Sequence, residues 1–318
     1  MRHDTLVNRF SQYGIGMGRD SYSTVRDVRV SISPSATVSS AFAYCGKITR
    51  RHYENFPVAS KFIPAPLRPY VAAIYAFART ADDFADEGSL SPDERLAKLD
   101  EWETKLDRCF EGKADDPIFI ALAETVSHFA IPKKLLADLL AAFRMDVTRS
   151  RFLTFDDLLH YCTHSANPVG RIVLHLFSSA TDRLMVLSDN ICTALQLANF
   201  WQDVAIDFSK GRVYIPLEDL QRFGYTEDDL GRKICDERFQ RLLRFQVDRT
   251  QQYFEAGKPL LSEAPDELRW ELRLTWFGGR TILKKIERAD YDVFSQHHRI
   301  TSMDKAGILL KAIVSRVR

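Results

Sequence analysis

Two stretches carry carboxylates at a spacing that can hold a divalent cation. In RTADDFADE, Arg79 to Glu87, Asp82 and Asp86 are four residues apart, directly after the apolar run VAAIYAFA. In QLANFWQDVAIDFSKGRVYIP, Asp203 and Asp207 repeat that spacing. On a helix four residues advance roughly 6 Å and about one turn, so each pair shares a face. Carboxylates one turn apart repel, and burying them unpaired is costly. An oxygen-only, incompletely coordinated site of this kind suits Mg²⁺, with Mn²⁺ as a substitute, because such ions keep waters and share their shell with substrate phosphates. Basic residues lie close by: Arg79 at the first pair, Lys210 and Arg212 at the second. Metal and basic residues together would stabilise a departing diphosphate without a covalent intermediate. The plainer reading makes both pairs solvated helix faces with Arg79 and Lys210 as local partners.

The elements that must position these residues are helical. Apolar residues recur at helical spacing over 41–55, 67–87, 92–110, 117–128, 132–149, 155–180, 183–208, 216–222, 226–256, 265–289 and 301–316, and no alternating strand is evident. SPDE before 95 and TFDD at 154–157 read as N-caps with acidic first turns, and Pro57, Pro64, Pro66, Pro132 and Pro216 punctuate the junctions. The expected fold class is all-α. Residues 1–40 read as an N-terminal extension and 41–318 as one large helical domain, since no linker divides them.

Composition narrows the partners. The 318 residues are 45% hydrophobic, and 44 basic against 43 acidic residues give a net charge of +1, which argues against a nucleic-acid partner. Five scattered cysteines without a CxxC pair suit a reducing, cytoplasmic setting. No run is long and apolar enough to span a membrane. Residues 303–317 are apolar with interspersed Lys and Arg, so they either pack on the domain or lie at the inner face of a membrane as a peripheral contact. No GxGxxG loop follows a strand, so a Rossmann nicotinamide site is not expected.

In order along the chain, NFPVASKFIP, YAFARTADDFADE, YCTHSANPVGR, QLANFWQDVAIDFSKGRVYIP and KIERADYDVF make the sequence resemble the squalene/phytoene synthase family over about residues 41–295. The resemblance implies an isoprenoid-synthase fold in which the two acidic motifs face each other across a central cavity. It gives Asp82, Asp86, Asp203 and Asp207 as Mg²⁺ ligands, and Arg79, Arg212, Lys210, Asn199 and Gln196 as diphosphate contacts. Tyr75 and Tyr161 match tyrosines lining the reaction centre. His52 and Asn55 lie in the first conserved segment and are expected at the substrate site, although an aromatic residue such as His52 at helical spacing is more often core packing.

Four departures from the commoner family pattern point to one branch. Asn55-Phe56 replaces Ser-Phe, Gln202 replaces an Arg, Gly279-Arg280 replaces Tyr-Arg, and Ala166-Asn167-Pro168 interrupts a helix. Pro168 removes a hydrogen bond and clashes with the preceding turn, so the helix must break there. Asn167 then either holds a water near a carbocation or satisfies a structural kink. The combination resembles hydroxysqualene synthases of hopanoid biosynthesis, which would convert presqualene diphosphate to hydroxysqualene without NADPH. That implies functional links to a presqualene diphosphate synthase and a hydroxysqualene reductase. Squalene synthesis with NADPH, condensation of farnesyl diphosphate, and phytoene formation are the neighbouring reactions, and a non-catalytic helical binding protein is the reading from another class. His160 and His164 are read as polar wall rather than zinc ligands, and Asp156 and Asp157 as a helix first turn.

Overall fold

The computed structural model describes residues 36–51 and 63–314. Their regular structure is helical: α1 (Ala36–Arg51), α2 (Arg68–Asp86), α3 (Pro92–Phe110), α4 (Pro117–His128), α5 (Lys133–Thr148), α6 (Phe155–Ser165), α7 (Asn167–Leu176), α8 (Asp182–Gln202), α9 (Val204–Ser209), α10 (Leu217–Arg222), α11 (Glu227–Gly231), α12 (Glu237–Gly257), α13 (Leu260–Glu263), α14 (Asp266–Arg288) and α15 (Ser302–Val314). An isolated bridge between Arg151 and Val213 is the one β-type pairing among the described residues.

Capping chemistry sets several starts. Ser91 with Glu94, and Thr154 with Asp157, form reciprocal capping boxes at α3 and α6. The SPDE and TFDD readings therefore hold, and Asp157 is a cap with its carboxyl held below the usual range by the Thr154 hydrogen bonds. Helix α1 starts at Ala36, five residues ahead of the expected position. Its Ser and Val residues have modest helix propensity, but Ala41 and Cys45 are buried and Phe42 packs edge-on against Tyr70, which outweighs propensity.

Three segments expected as continuous helices are broken. Residues 155–180 divide at Ala166, with Pro168 in the first turn of α7, where its missing N–H costs nothing. Residues 183–208 divide at Asp203, and 226–256 divide between α11 and α12, where Asp236 caps the new start.

The helices form two groups. Helix α2 packs on α1, α3, α4 and α5, whereas α8 packs on α6, α7, α12 and α14. Helix α5 joins the groups through α6 and α7, and α2 is not among the main packing partners of α8 in the described residues. The two acid-bearing helices thus belong to different packing groups. Phe77, Trp102 and Phe119 fill one group, and Phe254 and Trp276 part of the other. Helix α15 buries Ile308 and Ala312 against Leu274 of α14, while Met303, Leu310, Ile313 and Val314 stay exposed. Of the two readings for 303–317, packing on the domain is seen over 303–314, and no helix among the described residues is long and apolar enough to cross a membrane.

Candidate active site

The first acidic motif occupies the last two turns of α2, where the apolar spacing of VAAIYAFA turns the same helix face inward. Asp82 is 2% exposed, and Arg79 beside it is also buried. The Arg79 guanidinium reaches Asp83 Oδ1 at 2.5 Å, Glu87 Oε1 at 2.5 Å and Asp82 Oδ2 at 3.5 Å. One buried cation thus serves the buried Asp82 together with the more exposed Asp83 and Glu87. Burial nevertheless pushes the Asp83 carboxyl up to about 6 against the pull of Arg79, and pushes the Tyr75 phenol, one turn earlier, up to about 12.

The second motif is built differently from the expected single helical face. Asp203 ends α8 with φ −103° and ψ 12°, so it stands at a junction, and Asp207 lies on the short α9. The backbone bond from Asp207 N to Asp203 O, 2.8 Å, keeps the two acids one turn apart despite the break. Both are buried, at 1% and 2% exposure. Asn199 and Gln196 lie earlier on the same face of α8 and are also buried. The Gln196 amide has neither its nitrogen nor its oxygen in a hydrogen bond, although both are sealed from solvent. Such an orphan costs about 1–3 kcal/mol, which a polar ligand between Gln196 and the acids would remove.

Arg212 unites the motifs. Glycine at 211, with φ 79°, turns the chain after α9, and Arg212 N returns to Asp207 O at 2.9 Å. Its Nη2 then lies 2.6 Å from Asp86 Oδ1 of the first motif and 3.4 Å from the Asp146 carbonyl of α5. Burial alone lowers the Arg212 pKa, but Tyr214, Asp86 and Asp146 more than offset it, so the guanidinium is held above its ordinary value. Lys210 is exposed and makes no ion pair among the described residues, so it stands at the rim and is not the local partner of Asp207.

Tyr161 is buried, with its hydroxyl donating to Asp146 Oδ1 at 2.9 Å and its ring among Phe152, Phe200 and Tyr214. Asn167 is buried at the start of α7, and its Oδ1 accepts from Thr193 Oγ1 of α8 at 3.0 Å. The amide therefore does tie the broken segment to its neighbour. His52 and Asn55 lie outside the described residues.

Three groups at the site have no counterpart in the sequence reading. Asp146 is a lone acid in FRMDVTRS, with no spaced partner to signal it. His297 and Arg299 follow the late motif KIERADYDVF; His297 Nε2 lies 2.6 Å from Asp203 Oδ1, and Arg299 Nε donates to His297 Nδ1 at 2.7 Å. Only the HHR cluster there carried any signal. Two sequence departures also gain reasons. Gln202 is buried beside His297, its amide nitrogen 3.1 Å from His297 Nε2. A Cβ on Gly279 would come within 2.5 Å of Phe254 and 2.8 Å of Leu195, so no side chain fits there, and Arg280 turns away to Glu255 and the face of Trp276. His160 and His164 contact each other and no metal cluster includes them among the described residues.

No three metal-ligating side chains converge into a closed cage among the described residues. The donor set is two pairs of hard carboxylate oxygens, with the orphaned Gln196 amide earlier on the helix that ends at Asp203, and such donors fit a water-keeping divalent cation that shares its shell with a ligand.

Comparison with known proteins gives the family. The squalene/phytoene synthase family model matches residues 49–304. A phytoene synthase of Arthrospira platensis is 32% identical, covering 85% of this chain and 91% of its own. A hydroxysqualene synthase of Sinorhizobium fredii is 38% identical, covering 74% of this chain and 80% of its own. The crystal structure of a squalene synthase from Alicyclobacillus acidocaldarius superposes with a TM-score of 0.78 at 40% identity, covering 82% of this chain and 98% of that one. The matched span contains both acidic motifs and Arg212, and the chain belongs to the squalene/phytoene synthase family.

Proposed function

We propose that the protein converts presqualene diphosphate to hydroxysqualene in a squalene and hopanoid pathway. The observation that carries this reading is the ion pair of Arg212 with Asp86, which draws both acidic motifs and their cations around one space. The branch is supported by higher identity to the hydroxysqualene synthase, 38%, than to the phytoene synthase, 32%.

In this reading Asp82, Asp86, Asp203 and Asp207 hold Mg²⁺, or Mn²⁺ in its place. When bound, the metal supplies positive charge that stabilises the departing diphosphate. Arg79 and Arg212, with Lys210 from the rim, offer donors to the diphosphate oxygens, and Asn199 and Gln196 complete the polar wall. The carbon–oxygen bond breaks with its electron pair leaving on diphosphate. Tyr75 and Tyr161 present ring faces toward the carbocation. Tyr161 is held by Asp146, so it serves as a fixed wall. Asn167, with its oxygen committed to Thr193, has its amide N–H groups left to hold the water whose oxygen bonds to the cationic carbon. That water releases one proton and no reductant is consumed, so NADPH is not required. His52 and Asn55 complete the substrate contacts.

Purified protein incubated with presqualene diphosphate and Mg²⁺, with and without NADPH, tests the reading. Hydroxysqualene without reductant is expected, and a chelator should abolish it. Squalene formed only with NADPH, or product from farnesyl or geranylgeranyl diphosphate alone, would assign a neighbouring reaction instead.

A further inference from the structure

Asp203 is held by a part of the chain 94 residues further on. The segment between α14 and α15 brings His297 Nε2 to 2.6 Å from Asp203 Oδ1. The opposite ring nitrogen, Nδ1, accepts from Arg299 Nε at 2.7 Å. A guanidinium has only donors, so Nδ1 carries a lone pair, and the ring proton sits on Nε2 and is donated to Asp203. The Gln202 amide nitrogen stands 3.1 Å from the same Nε2, and with the ring proton there the exchanged amide orientation, oxygen toward the ring, gives consistent bonding. Bonds at both ring nitrogens favour one ring orientation.

The segment is itself anchored. His298 bonds the Asp292 carbonyl at 2.9 Å, and Asp292 accepts from the backbone of Phe294 and Ser295 at 2.9 and 3.0 Å. Lys285 of α14 donates to the Arg299 carbonyl at 2.8 Å and pairs with Asp304 of α15. The two acidic motifs are thus treated differently. Asp86 faces a full cation, Arg212, which any bound metal must share or displace. Asp203 faces an imidazole N–H, which orients it without taking up its charge.

We propose that His297, locked by Arg299, is a positioning residue for Asp203: it fixes Oδ1 and leaves Oδ2 directed to the cation. The inference rests on the reading of the second motif as the cation and diphosphate site. Outer hydrogen-bond partners of metal ligands typically contribute about 10–100-fold in metal affinity.

The test is titration of Mn²⁺ into the full chain with inorganic pyrophosphate present, following free Mn²⁺ by electron paramagnetic resonance. His297→Ala should weaken Mn²⁺ binding by about 10–100-fold, added imidazole should restore part of it, and Arg299→Ala should weaken it in the same direction by less. A merely structural histidine would not be rescued by imidazole. Wild-type Mn²⁺ affinity in both variants, beside an Asp203→Asn protein that has lost binding, would overturn the inference and keep the underlying site. Unchanged binding in Asp203→Asn would remove the site itself and the inference with it. Should His297→Ala fail to fold, Arg299→Ala carries the same comparison, because Arg299 Nε makes the outer contact.

Discussion

Arg212 Nη2 lies 2.6 Å from Asp86 Oδ1, joining acidic motifs that are 126 residues apart in the chain. The first motif also keeps its local partner Arg79, whereas the second is tied across the site by Arg212 rather than by Lys210. Because the guanidinium is also held by the Asp146 carbonyl and by a tight turn at Gly211, it is oriented before any substrate arrives. Arg212→Gln should therefore lower turnover by about 100-fold, in the range for loss of one preorganised donor at a developing charge. Its effect on stability should be about 1.5–3 kcal/mol, as for other hydrogen bonds to charged groups. Steady-state kinetics beside denaturant unfolding separates the two, and an unchanged kcat would remove Arg212 from the diphosphate contacts.

Asp82 is buried and shares the Arg79 guanidinium with Asp83 and Glu87, so function and stability should diverge there. Asp82→Asn keeps the shape and removes one of several crowded negative charges. The variant should lose at least about 100-fold in turnover while melting at or above the wild-type temperature, as sites kept for function often do. Full activity in Asp82→Asn, measured by diphosphate release, would sink the metal-ligand role.

How far the sequence reveals this depends on the range of each signal. Apolar spacing and caps are local, so the all-α fold class and the capping boxes at Ser91 and Thr154 were legible. The acidic pairs were legible because four-residue spacing is local too. The break at Ala166 followed from Pro168, whereas the break at Asp203 had no proline or glycine to announce it. Asp146 and His297 act through contacts distant in sequence, and beyond the HHR cluster nothing in their neighbours marks them. Gly279 was visible as a departure, but its cause, the Phe254 ring and Leu195, belongs to other helices.

That cause gives a packing prediction. A methyl at position 279 would meet Phe254 at 2.5 Å and Leu195 at 2.8 Å, and both neighbours are buried. Gly279→Ala should cost about 1–3 kcal/mol, the usual range for overpacking, and Gly279→Tyr should not fold. Denaturant midpoints measure this, and a Gly279→Ala protein as stable as the parent would show that α14 can shift away.

Asn167 links the break to product chemistry. Thr193→Val removes the donor that fixes its oxygen and should free the amide to rotate. If Asn167 holds the capturing water, Asn167→Ala and, less strongly, Thr193→Val should move product from the alcohol to hydrocarbons formed by proton loss, with diphosphate release largely kept. Mass analysis of the lipid products reads this directly, and an unchanged alcohol fraction in Asn167→Ala would reduce the residue to a helix tie.

Glu271 supplies a pH dependence away from the site. It lies on α14 with Oε2 sealed from solvent and without a hydrogen bond, and burial pushes its pKa from 4.5 up to about 8. The folded state therefore keeps a proton that the unfolded chain gives up above pH 4.5. Between these values the unfolded chain binds fewer protons, so this residue makes stability fall as pH rises, and above about 8 the loss is complete. The full effect is on the order of a few kcal/mol. Glu271→Gln should abolish that slope, so the variant should melt well above the parent at pH 8 and close to it near pH 4.5. Melting curves across this range decide it, and parallel curves for parent and variant would mean that Glu271 reaches solvent when it ionises.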